Sequence, residues 1–264
     1  MIGALVGDIV GSRFEWHNIK SKDFDLFTPD CFFTDDSVMS LAVAKAILES
    51  GNTPETLAVN AVKEMRRLGR AYPDAGYGGR FGVWLTEPDP KPYNSFGNGA
   101  AMRVSACGFA AKSLEEALAL AHTVTAVTHD HPEGLKGGEA TAAAVYLAAS
   151  GKTWEEIKAF VQSRYYPLDF TLDAIRPAYT FDESCQGTVP QALEAFFEST
   201  DFEDAIRLAV SLGGDSDTLA AITGGVAEAF YGVPATIREK AVTYLTKDLR
   251  AILDAFESAY NAKS

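Results

Sequence analysis

Gly213-Gly214-Asp215-Ser216-Asp217-Thr218 runs straight into Leu219 to Phe230, an apolar stretch rich in alanine. Two glycines can end a preceding helix and let the backbone turn tightly. Asp, Ser and Thr oxygens accept the orphan N–H groups of a helix start, so a helix is expected over Leu219 to Phe230. Phe33-Thr34-Asp35-Asp36-Ser37 repeats the arrangement ahead of a helix expected over Val38 to Leu48. Alanine is also dense from Ala140 to Ala149 and from Ala220 to Ala229. Small side chains let helices approach closely, and alanine has the best helix propensity. The reading is an all-α, tightly packed core.

The rest of the chain agrees. Thr53-Pro54-Glu55 supplies a cap, a proline at the first helical position and an early acid, and Gly69 is expected to close that helix. Ser113 with Glu116, and Thr153 with Glu156, form capping-box patterns ahead of apolar runs. Asp201 opens a helix carrying Ile206, Leu208 and Val210. Pro234 to Ala262 has helical spacing with a break expected near Thr246. No clear period-2 run bounded by hairpin turns stands out, so strands are few or absent. Ala71 to Gly99 is irregular and rich in Gly, Pro and Tyr. It is too long for an ordinary connection and reads as a functional loop region. No linker divides the chain, so 1–264 is expected to be a single domain.

Composition narrows the partners. The 264 residues carry 36 acids and 23 basic side chains, a formal charge of -13, which disfavours general binding to phosphate backbones. No apolar run reaches the roughly 18–20 residues that span a bilayer. Met1 to Gly11 has no basic lead and contains Asp8, a poor secretory signal. Cys31, Cys107 and Cys185 are odd in number and far apart, which favours a reduced, cytoplasmic protein. Monomer is the expected state.

The two acid-bearing helix starts hold the chemistry. Either alone is adequately explained as capping. Together they offer four carboxylates and two hydroxyls, with no basic residue in between. If the helix starts meet, such a cluster repels itself unless a cation sits in it. Oxygen donors select hard ions, Mg²⁺ or Mn²⁺, over zinc. Ser95-Phe96-Gly97-Asn98-Gly99-Ala100-Ala101-Met102-Arg103 leads into another helix and suits an anion such as a diphosphate, with Phe96 able to stack on a base. Gly76-Tyr77-Gly78-Gly79 is a weaker glycine loop. Thr128-His129-Asp130-His131 places two histidines after a helix, without evident metal partners. Gly7-Asp8 and Gly11 to Glu15 are candidates for a carboxylate on a mobile loop. The phosphatase-like reading of Asp215-Ser216-Asp217-Thr218 fails, since that motif needs a preceding hydrophobic strand near the N-terminus. Asp35-Asp36 likewise lacks the later acid of a prenyl-synthase box.

Taken in order, Gly7-Asp8 with Glu15, Phe33 to Ser37, Gly97 to Arg103, Thr128-His129 and Gly213 to Thr218 resemble the ADP-ribosylglycohydrolase family. That family includes dinitrogenase reductase-activating glycohydrolase and the ADP-ribosyl-acceptor hydrolases. The resemblance runs from the first helix through Tyr231, and Ser37 departs from a more usual threonine. It implies an all-α fold with a central cleft holding two Mg²⁺ ions, or Mn²⁺. By matching positions, Thr34, Asp35, Asp36, Asp215, Asp217 and Thr218 would ligate metal, and Glu15 would lie on a mobile loop over the cleft. Ser95, Phe96, Gly97 and Asn98 would bind ADP-ribose, with Phe96 on the adenine. Gly76 and His129 would help to hold the ribose and diphosphate, and Tyr93 is a guess for the second adenine wall. Asp35 or Asp36 would be the acid/base group, with Glu15 second. The implied reaction is hydrolysis of the ribose–acceptor bond of ADP-ribosylated substrates, arginine-linked protein first. The alternatives are serine, a nucleic-acid base, O-acetyl-ADP-ribose, or a non-catalytic ADP-ribose-binding relative.

Overall fold

The computed structural model describes residues 1–50 and 53–260. Their order begins α1 (Ile2–Gly11), α2 (Asp35–Ser50), α3 (Pro54–Ala71), α4 (Gly79–Thr86), α5 (Gly99–Met102), α6 (Ser105–Ala110), α7 (Leu114–Ala126) and α8 (Pro132–Ala149). It continues with α9 (Trp154–Arg164), α10 (Leu172–Ile175), α11 (Cys185–Phe197), α12 (Phe202–Ser211), α13 (Ser216–Tyr231), α14 (Ala235–Ala241) and α15 (Lys247–Tyr260). No β-strand occurs among the described residues. An isolated antiparallel bridge joins Gly97 to Ser184.

α13 is the axis of the molecule. Every residue from Ser216 to Ala227 is buried, as a helix apolar all round must be. It packs on α1, α8, α11 and α12. The contact with α1 is backbone against backbone. A Cβ on Gly7 would sit 1.9 Å from the Ala220 carbonyl oxygen, and one on Gly11 would sit 2.5 Å from the Asp217 Cα. α2 lies beside α1 and is covered by α3 and α15. The alanines of α8 and α13 supply the close approach expected of them: Ala140, Ala142, Ala143, Ala144, Ala220 and Ala227 are fully buried. Among the described residues no helix is long and apolar enough to cross a membrane. The three cysteines are free and buried.

Several boundaries differ from expectation. α2 begins at Asp35 and α13 at Ser216, so the acids sit at and inside the first turns rather than before them. The first turn carries the free N–H groups and positive dipole end, and it favours carboxylates as a cap does. α3 runs through Gly69 to Ala71, where the missing Cβ leaves room for Leu85; a Cβ would lie 2.6 Å from its Cδ2. The irregular region 71–99 contains α4, whose Phe81, Trp84 and Leu85 are buried at one-face spacing. Gly7 and Asp8 lie inside buried α1, not on a mobile loop. The Thr153–Glu156 capping box is complete. The Ser113 hydroxyl caps α7, but the Glu116 carboxylate bonds the Lys112 N–H at 2.6 Å. The last stretch breaks between Ala241 and Lys247 around Thr246, through a 3₁₀ turn at residues 242–244. The expected end at Ala262 lies outside the described residues.

Candidate active site

The α1–α13 contact brings the two acid-bearing segments together. Gly213 and Gly214 both adopt positive φ (69° and 73°), which turns the chain sharply between α12 and α13. Asn18 clamps the turn: Gly214 N–H donates to its Oδ1 at 2.8 Å, and its Nδ2 donates to the Gly214 carbonyl at 2.9 Å. Carboxylate oxygens of Asp8, Asp36 and Asp217 lie within 4.8 Å of one another, as do those of Glu15, Asp215 and Asp217. Thr218 Oγ1 donates to Asp36 Oδ2 at 3.0 Å, tying α13 to α2. Asn98 Nδ2 donates to Asp215 Oδ2 at 2.7 Å, which anchors the glycine loop to the same cluster.

Asp8 organises the start of α2. It is fully buried and accepts from Thr34 N–H at 2.9 Å, Thr34 Oγ1 at 2.6 Å, Ser37 N–H at 3.0 Å and the Ser37 hydroxyl. Thr34 Oγ1 in turn accepts from Asp36 N–H at 3.3 Å. The serine at position 37 thus keeps the hydroxyl that the arrangement uses.

The electrostatics are those of a cluster that could bind a cation. Burial, then the neighbouring Asp8 and Asp35 or Asp215, holds Asp36 well above the usual carboxylate range. Asp217 is raised by burial and then by Asp215 and Asp36; Asp35 by burial and then by Asp8 and Asp215. Burial also raises Asp215. Asp8 is pushed up to about 6 by burial, against its hydrogen bonds. Glu15 is pushed up to about 7 by burial, with Asp215 and Asp8 adding repulsion. Oδ1 of Asp36 and Oδ1 of Asp217 are buried without a hydrogen-bond partner. A buried carboxylate oxygen without a donor is satisfied by a proton or by a cation. The donor set fits divalent, oxygen-seeking metal, and the residues that could hold it are Thr34, Asp35, Asp36, Asp215, Asp217 and Thr218.

These acids floor one pole of a cavity of about 410 Å³. The same cavity is lined by Gly76, Tyr93, Arg80, Arg103, His129, Ser95, Gly97, Asn98 and Gly99, with Asn98 bonded to Asp215. Asn98 N–H donates to the Glu183 carbonyl at 2.7 Å, and Cys185 N–H to the Phe96 carbonyl at 2.8 Å, pinning the glycine loop. Gly76, at φ 99°, would place a Cβ 3.7 Å from Asp35 Oδ1. His129 is buried and kept neutral by burial, with Arg103 and Arg80 adding to the effect. Its Nδ1 meets Thr128 Oγ1 at 2.7 Å, and its Nε2 faces Gly97 and Gly99. Arg103 is wholly buried, donating to Thr128 Oγ1 at 2.6 Å and the Val124 carbonyl at 3.1 Å. Tyr93 lies against His129, with Arg80 over its ring.

Some candidates stand apart. Phe96 is exposed, with its ring against His131 rather than lining the cavity. His131 caps α8 by accepting from Glu133 N–H at 3.1 Å. The sequence reading passed over Asp8 as a buried acid, over Arg80 and Arg103, and over the rim residues Trp16, Phe181 and Glu183. For Asp8 the signal was present: an acid inside an otherwise apolar helix.

Comparison with known proteins gives the family. The chain belongs to the ADP-ribosylglycohydrolase family, whose sequence profile matches residues 1–263. It is similar to the ADP-ribosylhydrolase ARH3 of Homo sapiens, 26% identical, over 95% of this chain and 90% of that one. It is also similar to the ADP-ribosylarginine hydrolase Tri1 of Pseudomonas putida (strain GB-1), 28% identical, over 88% of this chain and 70% of the relative. A solved structure of an ADP-ribosylglycohydrolase-related protein complex superposes with a TM-score of 0.68 at 26% identity, covering 98% of this chain and 95% of that one. Family and relatives together make the protein a glycosyl hydrolase.

Proposed function

We propose that the cleft hydrolyses the bond between the distal ribose of ADP-ribose and its acceptor, with arginine on protein as the favoured acceptor. Two divalent cations, Mg²⁺ ahead of Mn²⁺, would be held by Thr34, Asp35, Asp36, Asp215, Asp217 and Thr218. The observation that carries the reading is the meeting of two helix starts with unpartnered buried oxygens on Asp36 and Asp217. When bound, such cations supply Lewis acidity toward sugar hydroxyls and water.

The chain's own residues do the rest. The carboxylate pole stabilises positive charge developing at the anomeric carbon, as the oxocarbenium-like transition state of glycoside hydrolysis requires. Asp35 lines the open cavity beside Gly76 and takes the proton of the attacking water; Asp36, tied to Thr218, is the alternative. Glu15, with a carboxylate oxygen within 4.8 Å of those of Asp215 and Asp217, is the second candidate for the acid/base group. Neutral His129, Ser95, Gly97 and Asn98 orient the ribose and diphosphate, with Gly76 opposite. Arg80 in the same cavity balances the phosphate charge. Phe96 reaches the adenine by turning off His131.

The experiment is release of ADP-ribose from substrates bearing arginine, serine, nucleic-acid base and O-acetyl linkages, with Mg²⁺ or Mn²⁺. Asp35→Asn and Asp217→Asn should abolish metal-dependent release, at least about 10³-fold in kcat. Near-normal turnover in either variant would overturn the reading, as would free phosphate as the product.

A further inference from the structure

Two aromatic rings close the rim of the cavity at its acidic pole. Trp16 is 72% exposed, and Phe181 is exposed at 41%. They stack on each other with ring centroids 5.1 Å apart and planes 17° from parallel. The two rings come from segments 165 residues apart, which Lys20 also joins by donating to the Tyr179 carbonyl at 2.6 Å, and together they form an exposed aromatic pair lining the cavity. Trp16 follows Glu15 directly in the chain. Phe181 belongs to the loop that lies over Gly214, where the Thr180 carbonyl and the Tyr179 ring crowd the glycine. Glu183, exposed and lining the same cavity, has no ion-pair partner among the described residues. The basic side chains that line the cavity are engaged elsewhere: Arg80 lies over the Tyr93 ring, and Arg103 donates to Thr128 Oγ1 beside His129.

We infer that Trp16 and Phe181, with Glu15 and Glu183, form the acceptor subsite and select a planar cation, the guanidinium of an arginine-linked substrate. The inference rests on reading the cleft as an ADP-ribosyl hydrolase site and deepens it by naming the group that recognises the acceptor. A guanidinium gains on both counts: its flat face stacks on an aromatic ring and its charge pairs with carboxylate. A serine side chain offers no flat face or charge. A neutral base stacks but gains nothing from the acids. A group entering here slides between the rings or displaces one from the other, and both segments are loops able to allow that movement.

The test compares arginine-linked and serine-linked ADP-ribosyl peptides on the full-length protein with saturating Mg²⁺. Trp16→Ala and Phe181→Ala should each lower the ratio of kcat/KM, arginine over serine, about tenfold, through KM. Taking the ratio cancels any effect that loss of the Trp16 ring has on both substrates through its chain neighbour Glu15. Trp16→Phe should restore most of the ratio. In parallel, agmatine added to the protein with ADP-ribose should change tryptophan fluorescence in the parent and much less in Trp16→Phe. An unchanged ratio, or a loss of affinity for free ADP-ribose in place of the ratio effect, overturns the assignment. If the parent releases ADP-ribose from neither peptide, the hydrolase reading fails, and the agmatine response still decides the subsite. A response that persists in Trp16→Phe rejects it.

Discussion

Asp8 shows how much one buried acid can organise. Four donors from Thr34 and Ser37 converge on its two oxygens, so the first turn of α2 is held before any ligand arrives. In Asp8→Asn the amide oxygen can keep the two backbone N–H bonds. The new NH₂ then donates to Thr34 Oγ1, which already accepts from Asp36 N–H, and its remaining lone pair is lost to a cation. The site also loses one negative charge. Supporting groups of this kind are worth about 10–100-fold in metal affinity. Calorimetric titration with Mg²⁺ should show a loss in that range while the helical circular dichroism is retained. Unchanged affinity would mean that Thr34 and Asp36 hold their positions without Asp8. In the sequence Asp8 reads as a loop or surface carboxylate; its burial inside α1, against the start of α2, makes it a support.

At the scale of elements, α1 and α13 set the spacing of the site. Gly7 and Gly11 let the helices touch at the backbone, and the touching point lies one turn from Asp217. Gly7→Ala puts a methyl group 1.9 Å from a main-chain oxygen with no flexible side chain to yield. The helices must separate, and a cost above about 3 kcal/mol is expected, beyond ordinary overpacking. Gly82, inside α4 with nothing within 4 Å of a Cβ, gives the opposite sign. Gly82→Ala should stabilise by about 0.5–1 kcal/mol through helix propensity. Urea unfolding of the two variants beside the parent checks both values, and a Gly7→Ala protein of parental stability would refute the spacing argument. Helix content was legible because caps and alanine runs are local signals. The paired acid segments were legible for the same reason. That they meet was not, because the approach of Asp36 to Asp217 depends on a helix crossing that leaves no local spacing. Likewise α4 was hidden inside Ala71 to Gly99, since glycine and proline on its flanks masked an eight-residue apolar face.

For the whole molecule, the formal charge is -13. Two divalent cations would bring it to about -9, and they would act where the repulsion is most severe. The linkage has a definite sign. Asp8 rises from 3.8 to about 6 and Glu15 from 4.5 to about 7 on folding. An acid with a raised folded pKa stabilises the fold below its unfolded pKa, and that contribution is lost as pH rises through the folded value. The metal-free protein therefore loses stability from these groups between about pH 4 and pH 7. Cations reverse this by favouring the ionised carboxylates, so the gain from Mg²⁺ must grow across the same interval. Paired thermal melts, with Mg²⁺ or with EDTA, cancel every group that titrates elsewhere. At a thousandfold excess over Kd the gain is about 4 kcal/mol, or about 10 °C for a chain of this size, at pH 7.5. At pH 5 it should fall to about 2 °C or less, because protons hold the site that the cations need. A difference that stays constant from pH 5 to pH 7.5 would show that the ions bind outside the carboxylate pole, and the same melts on Asp217→Asn would show whether that pole is involved at all.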